Sequence, residues 1–180
     1  MRVLALFVML VLADDMSAPP PPPAPPLEIG LPIDGLVSSS LHDSFRDKRA
    51  GRRKHEAIDI MSPRGTPIRA VVPGTVRKLM HNGLGGITIY QYDENDKYCY
   101  YYAHLQRYAA GLKEGMRIEQ GDIIGYVGST GNATTPHLHF SIFEIGPEKK
   151  WWTGTSIDPY DSLVFAADAA AAAGRIAATN

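Results

Sequence analysis

The chain has 180 residues, which suits one domain with short appendages, and it combines 44% hydrophobic residues with 17 glycines and 14 prolines. Its formal net charge of -1 provides no global basic field, so we expect no nucleic-acid partner. The single cysteine, Cys99, excludes an intramolecular disulfide and a zinc site built from thiolates.

The N-terminus has the order of features that is typical of an export signal. Arg2 supplies a positive start, residues 3–13 form an unbroken apolar run, and Val11 and Ala13 fit the small-residue positions of a cleavage site. The run is shorter than the roughly 20 apolar residues of a membrane span. We therefore predict a signal peptide over residues 1–13 and no stable membrane insertion after its cleavage. The expected location is the periplasm or cell envelope, or the medium after secretion.

Two further segments precede the predicted domain. Proline dominates residues 14–26, which predicts an extended polyproline II linker. Residues 27–54 form a lead-in segment that contains the basic run RDKRAGRRK over residues 46–54. We interpret this run as a solvated loop, and attraction to anionic cell-wall polymers is the alternative.

From residue 55 to about residue 145 the sequence alternates between strand and turn signals. Segments rich in β-branched and aromatic residues are separated by glycine, proline, asparagine and aspartate. The predicted strands include residues 68–72, 74–79, 87–92, 97–105 and 123–128, and only residues 105–112 look helical. This pattern predicts a mainly β fold with an antiparallel sheet and few short helices. The alanine-rich tail, residues 164–180, has little to pack against, so we expect a frayed helix or disorder there.

Two histidines lie two residues apart in the segment PHLHFSIF, residues 136–143. In a strand, alternation directs Leu138 and Phe140 toward the core and places His137 and His139 together on the opposite face. Residues two apart on a helix would diverge. The segment is therefore predicted to be a strand that presents both imidazoles to one region, where a metal could bind.

A second cluster lies at the start of the predicted domain. His55 and Asp59 are four residues apart and share a face of either a helix or a strand, and the turn residues within 63–67 favour a strand running into a turn. Two imidazoles and a carboxylate are the ligands that a catalytic zinc site of three protein residues requires, with the fourth position open to water.

The remaining histidines differ in their context. His104 ends the aromatic segment 97–105 in the motif YAHL, whereas His42 and His81 stand alone and are interpreted as surface residues. HxxxD by itself is a weak signal and HxH a moderate one. HxxxD, YAHL and HLHF occurring together in this order form a specific combination.

This combination resembles the lysostaphin/LytM-type zinc endopeptidases, over roughly residues 53–145. Supporting phrases are HEAIDIMSPRGTPIRA at 55–70, PGTV at 73–76 and GMRIEQGDIIGYVGSTG at 115–131; Ala57 stands where many members have glycine. The resemblance implies a β-sheet core of the barrel-sandwich (duplicated hybrid motif) type over residues 55–163. It also implies that a metal-activated water hydrolyses peptide cross-links of bacterial cell-wall peptidoglycan.

The resemblance further implies residue roles. One zinc ion per chain would be bound by His55, Asp59 and His139, and His104 and His137 would be the catalytic pair beside the metal. The resemblance does not decide which of the two histidines is the base. A serine or cysteine nucleophile is a poor candidate, because the chain has no G-x-S-x-G motif and its only cysteine lies inside a predicted strand.

Two alternatives belong to other classes of protein. A LytM-like binding module would activate a cell-wall amidase without cutting, but such relatives typically lose zinc ligands or catalytic histidines, and all five are present here. A biotinyl or lipoyl carrier domain shares the rhythm of residues 115–128, but no lysine lies in a Met-Lys-Met turn. Three questions stay open: whether a glycyl-glycine or D-alanyl bond is cut, the oligomeric state, and whether the lead-in segment blocks the site.

Overall fold

The computed structural model describes residues 25–49 and 54–178, so the predicted signal peptide and most of the predicted linker lie outside the described residues. Within these ranges the chain forms nine strands, a short 3-10 helix at Ser38–Ser40 and one α-helix, α1 (Tyr160–Ala178). The strands are β1 (Ile58–Met61), β2 (Pro67–Arg69), β3 (Gly74–Asn82), β4 (Gly86–Asp93), β5 (Tyr98–Tyr108), β6 (Arg117–Ile118), β7 (Ile123–Val127), β8 (His137–Ile145) and β9 (Gly154–Ile157).

All the strand pairs are antiparallel, and the main order is β1-β8-β5-β4-β3-β6. The long strand β5 is central, because its first half pairs with β8 and its second half with β7 on the same side, while β4 covers the other side. β9 and β1 pair with different halves of β8. The predicted mainly β fold with an antiparallel sheet is confirmed.

The prediction of a helix over residues 105–112 is wrong. Leu105 to Tyr108 form the end of β5, where Leu105 pairs with Val127 of β7 and is fully buried. Local helix propensity is a weak preference, and pairing with a neighbouring strand together with burial in the core outweighs it.

The alanine-rich tail belongs to an ordered helix that begins before it. α1 is helical up to Ala178, and its residues Leu163, Ala166 and Ala167 are buried against the domain. The expectation that the tail has little to pack against is therefore wrong for its first turn, since small alanine side chains allow close approach. In the described part of the chain, no helix is both long and apolar enough to cross a membrane.

The lead-in segment is part of the folded domain. Ile29, Ile33 and Leu41 are buried in the main hydrophobic core. The guanidinium of Arg69 on β2 donates two 2.7 Å hydrogen bonds to the carboxylate of Asp34, which ties the segment to the sheet. The segment therefore reaches the start of β1 along a fixed path.

Candidate metal centre

Strands β1 and β8 carry most of the predicted metal-binding residues and pair directly with each other. Asp59 and His139 are partners in the antiparallel register, so their side chains emerge side by side. Leu138 and Phe140 are fully buried in the core, and His137 and His139 lie on the other face. The alternation predicted for this strand is confirmed.

His55 lies just before β1 rather than within it. Its position is set by the lead-in segment: the His55 N–H donates to the carbonyl of Asp47 (2.9 Å), and the Glu56 N–H donates to the carbonyl of Phe45 (2.9 Å). Glu56 has a φ of 55°, a left-handed conformation that turns the chain between His55 and β1. This turn brings the His55 ring back toward Asp59.

Three donor atoms form a compact triangle at this point. His55 Nε2 lies 3.0 Å from His139 Nδ1, and both nitrogens lie 3.0 Å from Asp59 Oδ1. Nitrogen ligands bind zinc at roughly 2.0–2.1 Å, which in a tetrahedron requires ligand atoms about 3.3 Å apart. His55, Asp59 and His139 are therefore close enough to bind a metal ion, and their donor set fits zinc.

Asp59 directs its two oxygens to different partners. Oδ1 lies 3.0 Å from the imidazoles of His55 and His139 and 3.6 Å from Nε2 of His137. Oδ2 accepts a 2.6 Å hydrogen bond from Nη2 of Arg49 in the lead-in segment. The side chain of Arg49 is 45% exposed, so this ion pair is open to solvent on one side. Sequence reasoning missed this contact, because Arg49 belongs to a run of basic residues in which no position stands out.

A bulge in β5 directs His104 toward the same site. The register between β4 and β5 shifts so that Ala103 and His104 both lie opposite Thr88, and His104 has a left-handed φ of 62°. With this extra residue, Tyr102 and Leu105 can both be fully buried although they are three positions apart. Strict alternation would have placed His104 with Tyr102 on the core face.

The four imidazoles of the site are adjacent, with ring centroids 4.8 Å apart for His104 and His137 and 5.5 Å for His104 and His139. Three of them donate their Nδ1–H to a backbone carbonyl, and since a carbonyl only accepts, this nitrogen carries the proton and Nε2 keeps its lone pair. These bonds are His55 to Ser44 (3.0 Å), His104 to Thr130 (2.8 Å) and His137 to Thr135 (2.8 Å). Backbone acceptors of this kind leave no trace in a sequence.

Burial and hydrogen bonding shift the pKa values of these groups. Burial raises the pKa of Asp59, but the hydrogen bonds and charge of His139 and His55 together outweigh it and hold the pKa well below its usual range. Burial lowers the pKa of His104 to about 4, although the hydrogen bond to the Thr130 carbonyl acts in the opposite direction. At neutral pH the site therefore contains an ionised Asp59 and a neutral His104.

The five predicted residues open into one cavity of roughly 370 Å³. Tyr101 and Asn132 also line it, and the ring of Tyr101 lies edge-on to His139 at 6.0 Å. The two histidines interpreted as surface residues, His42 and His81, are exposed and do not line this cavity.

Comparison with known proteins agrees with the fold. A family model described as peptidase family M23 matches residues 53–159. An L-Ala–D-Glu endopeptidase of Bacillus subtilis is 34% identical over 145 residues, 76% of this chain and 43% of the relative. The glycyl-glycine endopeptidase ALE-1 of Staphylococcus capitis is 38% identical over 87 residues, 48% of this chain and 24% of the relative.

A solved structure shows the same architecture. The catalytic domain of the antimicrobial peptidase lysostaphin from Staphylococcus simulans superimposes with a TM-score of 0.59 at 28% identity, covering 68% of this chain and 90% of that one. The fold and the cluster of two imidazoles and a carboxylate define the class as metallopeptidase-like. The chain belongs to peptidase family M23. It spans less than half the length of the two curated relatives described above.

Proposed function

We propose that this protein is a zinc-dependent endopeptidase that hydrolyses peptide cross-links of bacterial cell-wall peptidoglycan. The observation that carries the proposal is the triangle of donor atoms, 3.0 Å on each side, with two further imidazoles opening into the same cavity. The names of the relatives support it, because both are endopeptidases: one is named for an L-Ala–D-Glu bond and one for a glycyl-glycine bond.

In this proposal His55, Asp59 and His139 hold one zinc ion per chain. When bound, zinc supplies a Lewis acid that makes water more acidic and polarises a carbonyl group. The hydrogen bond from His55 Nδ1 to the Ser44 carbonyl directs the lone pair of Nε2 toward the ligand triangle. Arg49 holds the second oxygen of Asp59, so that the first remains directed at the two imidazoles.

His104 and His137 are the proposed catalytic pair. Each has its Nδ1 proton engaged by a carbonyl and keeps the lone pair of Nε2, which in His137 lies 3.6 Å from Asp59 Oδ1. Each can therefore accept a proton from water or, once protonated, donate one to the developing oxyanion or leaving amine. Their rings lie 4.8 Å apart and the His104 ring lies 5.5 Å from that of His139, which places both within reach of a substrate bound beside the ligands. The geometry is compatible with either residue as the base.

The proposed location follows from the sequence and from the proposed substrate. An export signal over residues 1–13 and a proline-rich linker would deliver the domain to the periplasm or cell envelope, where peptidoglycan lies. The amidase-activator alternative is less well supported, since that role needs no histidine pair and this chain retains His104 and His137 beside the ligand triangle.

The test is digestion of isolated peptidoglycan by the zinc-loaded protein, with the released fragments identified by mass spectrometry. We expect release of peptide fragments that stops when a chelator is added and resumes with zinc. His104→Ala should lose activity. Its matched control is His81→Ala, at an exposed histidine outside the cavity, which should retain activity. No release by protein that carries one zinc per chain would contradict the proposal.

A further inference from the structure

The cavity has one charged wall, formed by Arg49 and Lys54 of the lead-in segment, which we call the cationic wall. The two residues are close in space because Lys48, the neighbour of Arg49 in the chain, forms an antiparallel bridge with Lys54. Both residues line the cavity that contains His55 and Asp59, and the Arg49 side chain reaches the Asp59 carboxylate. Residues 46–49 and 54 of the basic run interpreted from the sequence as a solvated loop are exposed, but Arg49 and Lys54 line the candidate active site.

The charge of the cavity is unbalanced toward positive. Among the described residues that line it, Arg49 and Lys54 are the cations and Asp59 is the acid, which leaves a formal excess of one positive charge. A divalent ion at the ligand triangle would increase this excess and would weaken the hold of Asp59 on Arg49, because the metal shares the carboxylate charge. The Arg49 guanidinium has five N–H donors, of which its ion pair uses one, so it can also bind a second anion.

The sheet order separates β1, beside the cationic wall, from the β3–β4 turn by β8 and β5, and the described residues that line the cavity on that turn and just before β8 carry no charge. Leu84, Gly85, Asn132, Ala133 and Thr134 line it there. A substrate with an anionic group on one side of the scissile bond would therefore bind in one orientation, with that group against the cationic wall. Clefts lined by charge of one sign concentrate ligands of the opposite sign and favour them over neutral analogues.

Resting on the proposed function, we propose that the cationic wall is a carboxylate subsite. The substrate is then a cross-link peptide that carries a free carboxylate on the residue that follows the scissile bond, in preference to an uncharged glycine bridge. A guanidinium matches the planar geometry of a carboxylate and can donate two parallel hydrogen bonds to it. Lys54 adds a second charge without fixed geometry.

The experiment uses two synthetic cross-link peptides that differ at one group, a free carboxylate or a carboxamide on the residue that follows the scissile bond. The zinc-loaded full chain should cleave the carboxylate peptide with a kcat/KM on the order of tenfold higher than that for the carboxamide peptide. A factor of this size is what one hydrogen bond to a charged group contributes. The variants Arg49→Gln and Lys54→Gln should each reduce this ratio, and the double variant should bring it to about one. Because both kcat/KM values are measured on the same variant, a change in its zinc affinity affects them equally and leaves their ratio unchanged.

Arg117→Gln is the matched control. It removes an arginine that makes a 2.6 Å ion pair with Glu94 on the exposed surface, and it should keep the wild-type ratio. Arg49→Lys should retain part of the preference, because the charge remains while the paired donors are lost. Equal cleavage of the two peptides by wild type, or a preference that survives in the double variant, would overturn the subsite.

Failure of the proposed function looks different from failure of the subsite. If the zinc-loaded chain cleaves neither peptide nor peptidoglycan, the endopeptidase proposal fails, and calorimetric binding of the two uncleaved peptides still decides the subsite. Tighter binding of the carboxylate peptide that is lost in the Arg49→Gln, Lys54→Gln double variant would support it. Equal binding of the two peptides would overturn it.

Discussion

Nε2 of His55 and Nδ1 of His139 lie 3.0 Å apart, although 84 positions separate the two residues in the chain. In the tautomer whose Nδ1–H donates to the Ser44 carbonyl, Nε2 of His55 presents a lone pair. Asp59 Oδ1 is 3.0 Å from both nitrogens and is a further acceptor. Three electron-pair donors in such proximity are stabilised by a shared cation.

The two histidines of the HLHF motif should therefore respond differently to removal. We expect His139→Ala to lose stoichiometric zinc, because one corner of the ligand triangle is gone. We expect His137→Ala to keep zinc and to lose activity by roughly a hundredfold or more, as for a general acid or base. Metal content by atomic emission and peptidoglycan digestion measure the two properties separately. Full peptidase activity in zinc-loaded His137→Ala would disprove its assigned role.

A buried polar network should make Tyr102→Phe destabilising although the ring is retained. The Tyr102 hydroxyl donates to Gln91 Oε1 (2.8 Å) and accepts from the Val71 N–H (3.1 Å), and both Tyr102 and Gln91 are fully buried. Removing the hydroxyl leaves two buried groups without this partner, which costs about 1–3 kcal/mol of unfolding free energy. Denaturant titration measures the change.

Tyr126→Phe is the control for that measurement. Tyr126 is only partly buried and its ring contacts the Arg107 guanidinium, so its hydroxyl contributes less to stability. If Tyr102→Phe and Tyr126→Phe changed the unfolding free energy equally, the hydrogen bonds of the Tyr102 hydroxyl would make no particular contribution to stability.

The packing of α1 predicts a contrast between two of its residues. Leu163 is fully buried against the domain, whereas Phe165 is 55% exposed. Leu163→Ala should lower the unfolding free energy by about 2–5 kcal/mol, the usual range for truncating a buried leucine. Phe165→Ala should change it by much less. A small effect of both substitutions, measured by thermal unfolding, would mean that α1 contributes little to the stability of the domain.

Cys99 should be unreactive in the folded protein. The side chain is fully buried in β5, and burial together with the charge of Asp93 raises the pKa of its thiol well above the usual range. The nucleophilic thiolate is therefore scarce at pH 8, and the reagent has no access. A chromogenic disulfide reagent should react within minutes in denaturant and far more slowly in buffer. Rapid reaction in buffer would show that the β5 region opens readily.

Local periodicity was sufficient to predict part of the site. In β8, alternation correctly separated Leu138 and Phe140 from His137 and His139, because side chains of a strand point to opposite faces in turn. The same rule fails in β5, where a bulge turns His104 toward the cavity. A bulge depends on the register with β4, and no local pattern encodes that register.

The sequence by itself determined the mainly β fold, the strand that carries HLHF and, through the order of its motifs, the set of five candidate residues. The tertiary structure alone decided that Arg49 contacts Asp59, that backbone carbonyls fix the imidazole tautomers, and that the tail begins as a packed helix. The reason is physical. Periodicity and residue chemistry are properties of neighbours along the chain, whereas ion pairs, carbonyl acceptors and helix packing depend on segments that meet only after the sheet has formed.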